Sequence, residues 1–427
     1  MSLKKKIGTG FIVLGLASVG FIAFKSMETS VPAKESTVLS AYANIALSNF
    51  TDSKESAVAL RDALEAFTAN PTDGTLKSAK TAYVTARKVY QQTEAFRFGN
   101  PTVDDFEGKV NAWPLDEGLI DYVDVSYGKI SENNPFYTAN IIANKMIKVA
   151  GKSIDASTIN GDLLRNFQEI EEVESNVATG YHAIEFLLWG QDLNGNMPGA
   201  GMRPPSDYAK GADCTGGNCD RRGAYLMAAA DVLIEDLNGI IGEWEFDGKG
   251  RKDLDVNGVS AIVTGLGSLT YGELAGERTK LGLMLGDPEE EHDCFSDLTH
   301  VSHFYNVQGV KNVYYGKYES AYGNSVDGDS VRDLIMAKNP DLTSELDMKV
   351  EKLMETAKTM YDRAEDGEAF DVMIAKGNTA GNKIVQNFVD SLVDFSKSLQ
   401  KSLTALNLNG VEFEGSDSLD NPGKVGS

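Results

Sequence analysis

The chain has 427 residues, 42% of them apolar, and sets Lys+Arg 40 against Asp+Glu 63, a formal charge of −23. At roughly 100 to 200 residues per domain this is the length of two or three domains, so a single small module needing staples is excluded. The acidity repels phosphate backbones and speaks against nucleic acid as a partner, while cations gather at such a surface.

Lys4, Lys5 and Lys6 precede an apolar run from Ile7 to Phe24, and Lys25 closes it. A positive segment before such a run has the layout of an export signal. Residues 1–34 are therefore expected to be a signal peptide or an amino-terminal membrane anchor with its linker. The run is long for a cleaved signal and barely long enough to span a bilayer, so removal and retention both stay open. The rest of the chain is expected in the periplasm or cell envelope.

Beyond that segment helical periodicity dominates. Asp73 stands before Leu76, Ala79, Tyr83, Ala86 and Tyr90, which fall on one helical face, and it is a candidate N-cap. Glu94 and Arg97 follow, and then an acidic stretch punctuated by Pro114, Asn111-Ala-Trp-Pro-Leu-Asp116-Glu117-Gly-Leu-Ile-Asp121. Next comes Gly180-Tyr-His182-Ala-Ile-Glu185-Phe-Leu-Leu-Trp189-Gly190. Three residues apart on a helix, the His182 imidazole and the Glu185 carboxylate project from one face and can both reach one cation. Helical bundles that hold iron or manganese use the mirrored Glu-x-x-His spacing. The apolar residues after Glu185 turn the pair inward, where a lone carboxylate is costly, so a partner is required. Glu94, Arg97, Asp116, Glu117 and Asp121 are the first-half candidates. A bare His-carboxylate hydrogen bond tying two helices is the competing reading of the pair.

From Gly190 to Gly217, glycines and prolines are too dense for a helix. The boundary falls there, giving a first helical bundle over 35–195, a connection over 196–218 and a second bundle over 219–410. Cys214 and Cys219 bracket a glycine turn short enough for a disulfide, which an oxidising compartment permits. Cys294 is left over. Asp220 precedes a second amphipathic run through Ala224, Met227, Ala230, Leu233, Leu237 and Ile241, and Tyr271-Gly-Glu-Leu-Ala-Gly-Glu-Arg278 has a glycine spacing suited to close helix packing. Glu273 or Glu277 is expected against Arg278. Glu289-Glu-Glu-His292-Asp-Cys-Phe-Ser-Asp297-Leu-Thr-His300-Val-Ser-His303 holds three of the chain's four histidines. A helix start at Asp287-Pro288 explains its acids but not its histidines. A last amphipathic face runs through Ile384, Phe388, Leu392, Phe395, Leu399 and Leu403, and the tail 411–427 reads as loose. The fold class is all-α, in two helical bundles.

There is no His-Glu-x-x-His, no Gly-x-Ser-x-Gly elbow, no phosphate loop, no dinucleotide fingerprint and no haem-attachment motif. The segment from Gly180 to Glu185 resembles the Gly-x-His-x-x-Glu signature of the imelysin family. The similarity continues through Asn218-Cys-Asp-Arg-Arg222, Ser268 to Arg278, and Glu289 to Asp297, and is greatest to the iron-regulated branch. The resemblance implies an all-helical exported protein that binds a transition-metal ion, iron foremost with zinc or manganese as alternatives, and that serves bacterial iron uptake beside membrane uptake components. It also implies a ligand set of His182 and Glu185 joined by Glu94 and Asp116. The family is filed among metallopeptidases as well, so a metal-dependent peptidase with Glu185 as its base is the rival reading.

Overall fold

The computed structural model describes residues 33–128, 134–149 and 151–425; the stretch expected to be an amino-terminal signal or anchor lies almost wholly outside the described residues. The helices are α1 (Glu35–Ala69), α2 (Asp73–Tyr90), α3 (Pro101–Val110), α4 (Glu117–Ile120), α5 (Gly161–Phe167), α6 (Gly180–Trp189) and α7 (Cys219–Trp244). They continue as α8 (Lys249–Asn257), α9 (Val259–Ser268), α10 (Leu281–Leu285), α11 (Thr299–Tyr315) and α12 (Val331–Lys338), then α13 (Pro340–Glu365), α14 (Phe370–Ile374), α15 (Thr379–Ala405) and α16 (Asp417–Asp420). The fold is all-α. The described strands are two short antiparallel hairpins, β1 (Met146–Val149) with β2 (Lys152–Asp155) and β3 (Lys317–Tyr318) with β4 (Val326–Asp327), too short to form a layer. None of the described helices is long and apolar enough to cross a membrane.

The helix starts follow local capping chemistry. Asp73 is the first residue of α2 rather than its cap; the hydroxyl of Thr72 accepts from the amide of Thr75, and Asp73 adds charge to the positive end of the helix dipole. Asp220 likewise lies inside the first turn of α7, whose cap position is Asn218 in the left-handed region at φ 53°. At Asp287-Pro288 the start is real but brief, a single 3-10 turn, Pro288–Glu290, capped by the Asp287 side chain.

Helix α1 packs against both α2 and α7, and α13 against α15. The expected α2 stripe is buried throughout, Leu76, Ala79, Tyr83, Ala86 and Tyr90. On α15 Phe388, Leu392, Phe395 and Leu399 are buried with Ile384 and Leu403 half-buried, and α13, which packs against it, buries Leu346, Val350, Leu353 and Met360. On α7, by contrast, Ala230, Leu233 and Leu237 are buried, Met227 and Ile241 half-buried and Ala224 exposed. Each large side chain taken fully out of water contributes about 1.5 to 3 kcal/mol. Truncating Phe388, which is 0% exposed, to alanine is accordingly a change of about 3 to 5 kcal/mol. Helix α11 lies on α2 and on the 3-10 segment Gln91–Phe96, and this contact carries the histidine-rich second half onto the first.

Cys214 and Cys219 are joined in a disulfide with Cα atoms 6.0 Å apart, and Cys294 is free and half-buried. Between α9 and α10 the chain winds as a π-helix, Leu269–Lys280. Its glycines face the carboxy-terminal segment: a Cβ on Gly272 would lie 2.6 Å from the carbonyl oxygen of Glu414, and one on Gly276 would collide with Ser416. The segment is held there by Ser418 Oγ donating to the Gly276 carbonyl at 2.9 Å and by Tyr271 donating to Asp420 at 2.7 Å.

Candidate metal centre

Helix α6 is buried along its whole length, so its polar side chains must find partners inside the protein. His182 Nδ1 and Glu185 Oε2 lie 2.8 Å apart, the same-face geometry that a three-residue helical step produces. The other Glu185 oxygen accepts from the Ser296 amide at 3.0 Å and hydroxyl at 2.6 Å, and Tyr83 donates to Oε2 at 3.3 Å. Burial holds the Glu185 carboxyl up at about 7 and the His182 imidazole down at about 3. His182 is therefore neutral at physiological pH, and one of its two ring nitrogens carries a lone pair. Its Nε2 has no hydrogen-bond partner.

The third member comes from the second half. His182, Glu185 and Asp293 present ligand atoms that all lie within 4.8 Å of one another. Asp293 gives Oδ1 to the guanidinium of Arg87 at 2.7 Å, while its Oδ2 is buried and unpartnered. Arg87 itself is wholly buried and also donates to Asn111 and, at 3.2 Å, to Ser302. The His292 ring packs edge-on against His182 with centroids 4.8 Å apart and against Trp113 at 5.7 Å, and burial pushes its pKa well down. Its Nδ1 is a further orphan. Two neutral imidazoles and two carboxylates, less one arginine, leave the cluster short of positive charge and with free lone pairs, which suits a transition metal of borderline softness.

Glu94 and Asp116 stand outside the gathered atoms. Glu94 Oε2 pairs with Arg278 at 2.8 Å, within a network that adds Arg97, Glu107 and Glu273. The expected pairing of Arg278 is with Glu273, at 2.6 Å. Asp116 caps α4 by accepting from the Gly118 amide at 3.1 Å and accepts from the Tyr127 hydroxyl at 2.9 Å. Burial raises it to about 6. Asp121 is spanned by Arg203 and Arg222, each at 2.7 Å. Of the remaining histidines, His300 meets Glu365 at 3.3 Å, and His303 bonds the Arg278 carbonyl at 3.0 Å. Sequence reasoning passed over Asp293 and Arg87. The first sits within the Glu289–Asp297 run, where the histidines drew attention away from it; the second lies on α2 beside Ala86, where an arginine ordinarily faces water.

A family model described as Imelysin matches residues 46–399. Over 109 residues the chain is 28% identical to the iron-regulated protein A of Synechococcus elongatus, a match taking in 25% of this chain and 31% of that protein. The chain thus spans about a third of the length of that curated relative. Among solved structures, a protein described as an iron-regulated protein A precursor from Parabacteroides distasonis superposes with a TM-score of 0.59 at 16% identity, over 88% of this chain and 97% of that one. An imelysin-like protein from Psychrobacter arcticum does so with a TM-score of 0.58 at 15% identity, over 90% and 99%. At these identities the structural likeness is one of fold.

Proposed function

This chain belongs to the imelysin family, and from that premise we propose that it binds a transition-metal ion, iron foremost, at His182, Glu185 and Asp293, as cargo in bacterial iron uptake outside the cytoplasmic membrane. The observation that carries the reading is the convergence of the three groups within 4.8 Å with His182 Nε2 and Asp293 Oδ2 left without partners. His182 Nδ1 and Glu185 Oε2, 2.8 Å apart, are close enough to share one ion in place of the proton between them. Nitrogen and oxygen donors together suit iron(II), manganese or zinc. In this reading Asp293 takes the place that the sequence resemblance gives to Glu94 and Asp116, and membrane uptake components receive the ion. The iron-regulated name of the Synechococcus relative supports the choice of iron.

A cleft of about 570 Å³, lined by Trp113, Glu117, Glu289, Glu290 and Cys294 among others, gives the ion an acidic approach with Trp113 between it and His292. Calorimetric titration with iron(II), manganese and zinc is the test: His182→Ala and Asp293→Asn are expected to lose at least tenfold in affinity, and equal affinity in wild type and variants overturns the reading.

One observation favours the peptidase alternative: a carboxyl held near 7 is well placed to act as a general base. Against it, His182, Glu185 and Asp293 are at most 1% exposed, so an ion can be enclosed there but a polypeptide cannot. Chelator-sensitive cleavage of a denatured protein, abolished by Glu185→Ala, would reinstate the peptidase.

A further inference from the structure

We propose that Glu291, Asp297 and Asp371 form a second cation site, built of oxygen donors alone, that takes a hard divalent ion of the calcium type. One carboxylate oxygen from each lies within 4.8 Å of the others. The three come from separate parts of the fold: Glu291 ends the 3-10 turn, Asp297 stands just before α11 with φ 55°, and Asp371 belongs to α14. Glu291 and Asp371 are each 1% exposed.

The site is more than an acidic cluster, because its acceptors are orphaned. Both oxygens of Asp371, Oε1 of Glu291 and Oδ1 of Asp297 are buried and lack a hydrogen-bond partner of standard geometry. Asp371 has only the nearby amide dipoles of its own residue and Val372. The charges acting on Glu291 are those of Asp371, Asp297 and Asp293, all acids, with Thr299 as its hydroxyl neighbour. Buried acids drawn together in this way are costly to ionise, a penalty that one bound cation removes.

Size and donor type select the occupant. The cleft in front of Glu291 and Asp371, bordered also by Glu117, Asp192 and Glu289 but not by Asp297, has free space of about 10 Å³, about what one water or one ion occupies. Carboxylates without nitrogen or sulfur favour hard cations, and three acids on separate segments suit calcium, which accepts mono- and bidentate carboxylates at irregular angles, better than magnesium, which demands an octahedron.

Full-length protein stripped with chelator, then titrated with Ca²⁺ by calorimetry and by thermal denaturation, decides the matter. Wild type and His182→Ala are expected to bind calcium with a Kd at or below about 1 mM and to melt at a higher temperature when it is present. Asp371→Asn relieves one repelling charge, so it is expected to fold at least as well without calcium yet to bind it at least tenfold more weakly. Absence of a calcium response in wild type, or an undiminished one in Asp371→Asn, overturns the proposal. A response lost in His182→Ala and kept in Asp371→Asn does so too, by placing the ion in the other centre. Since His182→Ala abolishes only the transition-metal site, each proposal can fail while the other stands.

Discussion

Two of the buried ionic regions among the described residues differ in how completely their acceptors are paired. Around Arg278 and Arg97, each of Glu94, Glu107 and Glu273 faces a guanidinium. Around His182, a single guanidinium, that of Arg87, reaches one oxygen of Asp293 and, at 3.4 Å, Nε2 of His292, while His182 Nε2 and Asp293 Oδ2 have no hydrogen-bond partner. Both regions are desolvated; only the second leaves acceptors idle. A closed network holds helices in place, and an open one has capacity for a guest. That contrast, more than residue type, separates Glu94 from Asp293.

The largest effect that can break the contrast is in the closed network. Arg278→Met leaves Glu94 and Glu273 to the more distant Arg97 alone, and urea denaturation is expected to show a loss of about 3 kcal/mol that added iron(II) or zinc does not restore; restoration by metal would mean that Glu94 belongs to the open centre. Arg87→Met removes the counter-charge of Asp293 and is expected to cost a similar or slightly smaller amount in metal-free protein, but here the loss shrinks when metal is added, because a cation can stand in for the guanidinium. Smaller still is Ser296→Ala. It removes the hydroxyl that orients Glu185, so metal affinity should fall about tenfold, read by calorimetry, with the melting temperature nearly unchanged. The smallest change concerns pH. Burial, followed by the influence of its charged neighbours, holds Glu107 up at about 7 against an ordinary 4.5. A raised carboxyl stabilises the fold while protonated and loses that contribution as pH rises from its unfolded value through 7. Denaturation at pH 5 and pH 8 should therefore show wild type losing stability relative to Glu107→Gln over that interval; parallel behaviour would remove Glu107 from the buried network.

Much of this organisation is legible in the chain. The helical class follows from periodicity, because the faces of α2 and α15 that repeat at three- and four-residue steps are the faces that pack. The His182 and Glu185 pair is legible for the same local reason: a three-residue step dictates proximity before any tertiary structure is known. Asp293 was not, since its meeting with α6 depends on how α11 and the loop before it lie across α2, a long-range contact with no periodic trace. Asp371 left even less signal, one acid beside Phe370 in a five-residue helix. Glu94 and Asp116 show the converse. Their neighbourhoods name them as candidates, but which arginine or amide claims a carboxylate is decided by three-dimensional neighbours.

The glycine-faced π-helix has one more implication. Its groove is filled by Glu414 to Asp420, and the same π-helix carries Arg278 and so anchors Glu94 and Glu273. The arginine network is thereby tied to a stretch of chain far from it in sequence: a variant cut before residue 413 would bare the glycine face of the helix that carries Arg278.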